Sequence, residues 1–223
     1  MKLSSSLILT LLFTANLAQA GVIVGGTRLI YDGGKKEASL SVSNPDKTAY
    51  LLQSWIEAAT DAEKAPFIIT PPLFRLDGGK ENLLRVVRAG GNLPADKESL
   101  YWMNIKSIPS MEQDGDRNTL QIAVKTRIKL IYRPDGLKGT PEDVAETLTW
   151  QRLGNDIQVT NPTPFYMNFQ QVKVAGSTVQ EASYVAPGAT ARFALPPGTR
   201  TGSVSWKIIN DYGGAGKEYT KAL

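Results

Sequence analysis

No side chain in this 223-residue sequence can act as an imidazole base or a thiolate, because it contains neither His nor Cys. A Ser-His-Asp or Cys-His relay is therefore excluded, and so is the usual zinc ligand set. Carboxylates, amines and hydroxyls remain. Two suitably spaced carboxylates suffice for glycoside hydrolysis, but the 21 Asp and Glu fall mostly in turns or polar loops with no suggestive pairing. Gly214-Ala215-Gly216-Lys217 has the look of a phosphate loop. Asp211 stands where the leading Gly belongs and Glu218 where Ser or Thr is required, so the motif fails. No enzymatic activity, cofactor or metal is expected.

The 25 Lys and Arg leave a net charge of +4, too dilute over this length for a nucleic-acid binder. Several of them are concentrated in one segment, Asn118 to Arg133, which alternates for more than ten residues. Leu120, Ile122, Val124, Thr126, Ile128 and Leu130 share one face, and Gln121, Ala123, Lys125, Arg127 and Lys129 share the other. Sixteen extended residues span about 50 Å, whereas sandwich strands run about five or six residues. Two readings fit: a long core strand with one basic solvated face, or a strand whose first half, Leu120-Ile122-Val124, is an unfilled row of knobs for another protein's groove. Few aromatics interleave with its cations, which argues against single-stranded nucleic acid. An adhesive sandwich would need an aromatic platform. Trp55, Trp102, Trp150 and Trp206 instead lie in strand-like runs and are expected in the core.

The elements that must carry these residues are short strands. Residues 1–20 read as a secretory signal peptide: Lys2, the apolar run Leu7 to Phe13, and Ala18-Gln19-Ala20 as cleavage pattern. The rest has no second long apolar run, so an exported, non-inserted product is expected. From Gly21 to Tyr132, seven β-rich runs separated by turn residues predict a β-sandwich: Gly21–Tyr31, Ala38–Ser43, Tyr50–Ile56, Phe67–Thr70, Leu83–Val87, Leu100–Ile108 and Thr119–Tyr132. Pro134 to Pro141 is turn-rich and marks a boundary between domains at residues 21–138 and 139–223. Thr140-Pro141 predicts one capped helical turn. Six further runs then predict a second all-β domain, and the two sandwiches should leave a cleft between them.

At this level the residues resemble the periplasmic pilus chaperones of the PapD-like family, most closely the type 1 fimbrial chaperones. The segment Leu93 to Pro109 resembles the family signature throughout, with Glu98, Asn104 and Pro109 its least variable positions. Thr27-Arg28, Ser54 to Glu57, Ile69 to Phe74, Arg127 to Pro134, Asn161 to Phe165 and Ile209 to Gly213 follow in the family's order. The short Ser110 to Arg117 connection resembles the short-loop members.

The resemblance implies a boomerang of two immunoglobulin-like domains in the Gram-negative periplasm that binds pilus subunits, adhesin included, and delivers them to an outer-membrane usher without ATP. It implies that Arg28 and Lys129 anchor the subunit's C-terminal carboxylate and that Leu120, Ile122 and Val124 are the donor residues of a strand lent to the subunit. It also implies an ion network of Glu98, Arg133 and Asp211 across the domain interface, and leaves the Pro71-Pro72 peptide isomers open.

Overall fold

The computed structural model describes residues 21–59, 64–110 and 120–223. The leader expected over residues 1–20, and the connection expected over Ser110 to Arg117 apart from Ser110 itself, lie outside the described residues, as do residues 118 and 119 of the long strand. Two β-sandwiches follow one another along the chain. The first comprises β1 (Ile23–Val24), β2 (Arg28–Asp32), β3 (Glu37–Ser43), β4 (Tyr50–Ala58), β5 (Phe67–Thr70), β6 (Leu73–Leu76), β7 (Glu81–Arg88), β8 (Ser99–Pro109) and β9 (Val124–Arg133). Its sheets have the orders β1-β3-β7-β5 and β2-β9-β8-β4-β6.

The second contains β10 (Thr149–Leu153), β11 (Asp156–Thr160), β12 (Met167–Val174), β13 (Ser177–Thr178), β14 (Tyr184–Val185), β15 (Thr190–Ala194), β16 (Ser203–Ile209) and β17 (Ala215–Ala222). Between them lies the single turn α1 (Pro141–Val144), continued as a 3-10 turn. The Thr140 N–H donates to the Asp143 carboxylate at 2.7 Å, capping the turn as the Thr-Pro pair predicts.

Period-two alternation builds both cores. In β8, Tyr101, Met103 and Ile105 enter the first core while Trp102, Asn104 and Lys106 occupy the other face. In β9, Ile128, Leu130 and Tyr132 do the same. Trp206, Ile208, Ile157 and Met167 centre the second core. With no Cys to tie the sheets, these clusters hold each sandwich together. The Thr70–Pro71 peptide bond is cis.

The structure departs from the sequence reading at several places. The run expected from Gly21 to Tyr31 is two strands on different sheets. The chain crosses at Gly25, where a Cβ would collide with the Ser41 hydroxyl and sit 3.1 Å from its carbonyl. The sixteen-residue strand is shorter than expected. Its ladder with β8 begins at the Ser107–Val124 pair, and residues 120–123 belong to no strand even though β8 continues to Pro109. Gln121 alone reaches back, its side chain donating to the Pro109 carbonyl. The sequence pattern does not predict strands β6, β13 and β17.

Two of the four tryptophans are not core residues. Trp55 and Trp102 lie on the outer face of the five-stranded sheet, under Lys125 (5.0 Å to the ring centroid) and Arg127 (4.4 Å). Cations whose methylene stems cover an aromatic face explain why a strand-embedded Trp need not be internal.

Candidate functional site: an open strand edge leading into the interdomain cleft

Strand β9 is paired along its whole length with β8 on one side, from Ser107–Val124 to Ser99–Tyr132. On the other side it is paired only from Lys129 onward, because parallel β2 starts at Arg28. Among the described residues, the edge of β9 from Val124 to Ile128 faces no strand. Leu120, Ile122 and Val124 continue this edge and are 88%, 65% and 52% exposed. Three large apolar groups in a row, next to unpaired backbone, form a surface that invites strand pairing.

The open edge ends at two cations. Arg28 and Lys129, about a hundred residues apart in sequence, are direct register partners. Burial pulls the Lys129 ammonium down to about 8, and the neighbouring Arg28 charge adds to the fall. Burial likewise lowers Arg28, opposed by Asp211, Glu142 and Glu98. Arg28 Nη1 donates to the Ile209 carbonyl at 3.3 Å, while its shielded Nε has no protein partner. Lys129 has no carboxylate partner among the described residues. Two partly desolvated cations side by side are a poor arrangement for stability and a good one for a charge-assisted grip on an anion.

Behind the cleft the two domains are fastened by ions. Arg133, at the end of β9, donates from Nε to Glu98 at 2.8 Å and from both terminal nitrogens to Asp211 at 2.6 and 2.8 Å. Burial works against its charge, but the hydrogen bonds of Asp211 and the charge of Glu98 outweigh it and hold the guanidinium above its ordinary value. Burial pushes the Glu98 carboxyl up, and Arg133 with the Tyr166 N–H (2.7 Å) pull it only partly back. The Glu98 N–H also donates to the Pro164 carbonyl at 2.9 Å, and Arg133 lies over the Phe165 ring. Glu98 and Arg133 belong to the first sandwich and Asp211, Pro164 and Tyr166 to the second, so the group spans the hinge.

Sequence reasoning does not find the residues that meet Lys129 from the second domain. Asn168 Oδ1 accepts from its Nζ at 2.5 Å, and the Tyr184 ring lies 4.5 Å from it. The available signal is a carboxamide set between Met167 and Phe169 in an apolar strand run. Also missed is Glu57, which accepts from Trp55 Nε1 at 2.7 Å and pairs with Arg127 at 3.3 Å and Lys125 at 3.8 Å. The Trp55 hydrogen bond, with these cations, holds its carboxyl below the usual range.

Two sandwiches, an open strand edge and a cation pair at its end describe a binding protein with a surface suited to an extended chain. Its profile matches are the pili and flagellar-assembly chaperone PapD N-terminal domain over residues 21–138 and the pili assembly chaperone PapD C-terminal domain over residues 143–220. The chain belongs to this pilus-assembly chaperone family. It is 45% identical to the probable fimbrial chaperone LpfB of Escherichia coli O157:H7, over 97% of this chain and 94% of that protein. With the chaperone protein FimC of Escherichia coli K12 it shares 42% identity, over 95% and 88% of the two chains. The solved complex of the Salmonella enterica SafA pilin with the SafB chaperone matches with TM-score 0.86 and 42% identity, over 91% of this chain and 96% of that one. The Escherichia coli chaperone DraB matches with TM-score 0.82 and 41% identity, over 91% and 96%. The family is one of chaperones, not of enzymes.

Proposed function

We propose that the protein is a periplasmic chaperone that captures pilus subunits by pairing its β9 edge with the subunit, with Leu120, Ile122 and Val124 filling the subunit's groove and Arg28 and Lys129 holding its C-terminal carboxylate. Residues 21–138 and 139–223 act as its two domains, residues 1–20 export it, and an outer-membrane usher receives the loaded complex. Strand addition at a sheet edge is a general binding mode, of which pilus chaperones are a known example.

One observation carries the reading: a strand edge, open upstream of Lys129 and lined by three exposed apolar side chains, that runs straight into a pair of cations. The division of labour follows from the physics. A cation pair fixes where the guest chain stops. That fixes register, since a slip by one residue would turn every knob to the wrong face. Burying each apolar side chain fully is worth about 1.5–3 kcal/mol before ordering costs, so the knobs supply most of the affinity.

The test is co-expression in the periplasm with a pilus subunit. Wild type should co-purify as a one-to-one complex, with a photocrosslinker at Ile122 bonding to the subunit. The Arg28→Ala/Lys129→Ala double variant should fold and reach the periplasm but recover no subunit. Normal recovery from the double variant would overturn the anchor.

A further inference from the structure

Asn168 and Tyr184 are register partners where β14 meets β12, just as Arg28 and Lys129 are where β2 meets β9. The second domain thus presents one side-chain pair to the other domain's cation pair. Asn168 is 3% exposed, a burial that a carboxamide tolerates only when its hydrogen bonds are made. Its Nδ2 donates to the Tyr166 carbonyl at 3.5 Å, which turns Oδ1 toward Lys129. Tyr184 is backed by the Tyr166 ring at 6.0 Å between centroids.

An ammonium has three N–H groups. Asn168 takes one, and the Tyr184 face stabilises the charge without requiring a directed N–H. Donors therefore remain for a guest. Were both contacts removed, the ammonium would stand half-buried beside a guanidinium with nothing nearby to favour its charge, and a neutral amine gives no charge-assisted bond to a carboxylate.

We propose that Asn168 and Tyr184 are positioning residues that keep the Lys129 ammonium charged and aimed, so that capture of a chain's terminal carboxylate depends on the second domain as well as on the strand-lending one. This rests on the reading that Arg28 and Lys129 hold that carboxylate. The ammonium's fall to about 8 is consistent with a charge that is barely held. The charged and titratable groups around it are Arg28 from β2, Tyr184 from β14 and Tyr166 at the start of β12. Asp211, Glu142 and Glu98 act on Arg28, and Arg127 on its own strand is engaged with Glu57. Tyr166, pushed up to about 12 by its burial, stays neutral throughout the range of the test.

The test uses the mature chaperone and a synthetic peptide of alternating apolar residues with a free C-terminal carboxylate, alongside its C-terminal amide, titrated by fluorescence anisotropy from about pH 6 to about pH 9. In wild type the carboxylate peptide should bind more tightly than the amide below pH 8, with the advantage fading above it. Asn168→Ala and Tyr184→Leu should each make it fade at lower pH. If the lysine drops by one further unit, the loss relative to wild type is about five-fold at pH 8 and negligible at pH 6. Tyr184→Phe keeps the ring and should retain the wild-type profile. The proposal is overturned if the variants keep the wild-type profile, or if they lose affinity equally at every pH, as a merely structural defect would. No advantage of carboxylate over amide in wild type would instead defeat the anchor reading itself. Because the two variants remove different groups on different strands, either one that folds decides the question.

Discussion

Replacing Arg133 by Ala should remove more stability than any other single surface-proximal change in the molecule. The Glu98 side chain is 1% exposed and that of Arg133 15%. Without the guanidinium, the Glu98 carboxylate would keep one side-chain hydrogen bond, from the Tyr166 N–H. Breaking a buried pair from one side costs about 3–5 kcal/mol, because the remaining charge is stranded. The Asp211 half, 23% exposed, adds less, since exposed pairs contribute about 0–1 kcal/mol. A loss of about 3–5 kcal/mol is therefore expected for Arg133→Ala, against about 1–2 kcal/mol for Glu98→Gln, which strands no charge.

Urea unfolding followed by tryptophan fluorescence is the assay, with Trp55 and Trp102 reporting the first domain and Trp150 and Trp206 the second. The Arg133→Ala/Glu98→Gln double variant should lose less than the two single losses combined, because the neutral carboxamide that replaces Glu98 leaves only the partly exposed Asp211 anion without its partner. The pH dependence has a definite sign. Burial raises the Glu98 carboxyl, and removing Arg133 raises it further. A raised carboxyl disfavours the folded state increasingly as pH climbs through its folded value, so the deficit of Arg133→Ala should widen from about pH 4 to about pH 7. A variant within about 1 kcal/mol of wild type and flat with pH would refute the claim that the hinge pair is buried in any energetic sense.

Ile122→Asp should weaken subunit complexes by roughly 10- to 100-fold, the equivalent of one lost buried side chain, read as a dissociation constant by calorimetry. Trp206→Ala should cost about 3–5 kcal/mol of stability, whereas Trp102→Ala, which loses the Arg127 stack and little core packing, should cost about 1 kcal/mol; equal losses in urea titrations would contradict their different placement. Transfer of a subunit from the chaperone to a tighter competing strand should proceed at the same rate with and without ATP, measured with purified components.

What can be read in the sequence is set by how local the signal is. Strands β3, β8 and β9 alternate cleanly, and their inward residues are the ones their periodicity marks. Strand β6 escapes because only four residues follow the Pro71-Pro72 break. Strand β17 escapes because Gly214 and Gly216 read as loop and Tyr219 alone of its residues is buried. The rejected phosphate motif starts in the turn before that strand and runs into it.

The cation pair is a harder case. Arg28 and Lys129 are neighbours only through a parallel register between distant segments, and no periodicity in either segment marks it; the resemblance does. Asn168 and Tyr184 depend on a two-residue strand and on the meeting of two domains, so neither pattern nor resemblance points to them. The sequence misplaces Trp55 and Trp102 because a strand-embedded tryptophan looks the same there whether cations or core cover it.

The parallel start of β2 at Arg28 has one more consequence. A strand edge open at both ends would accept any extended segment, including the middle of a chain still threading through the export machinery. Because β2 occupies β9 from Lys129 onward, a guest strand pairing along the open edge toward the cations has no further edge to pair with there, and under the proposed anchor its carboxylate would end at that point. On the proposed capture mode, the edge would discriminate finished polypeptides from unfinished ones, since a guest without its final residue has no carboxylate to offer the cations. Selection of that kind would need no moving part: it would follow from where one short strand begins.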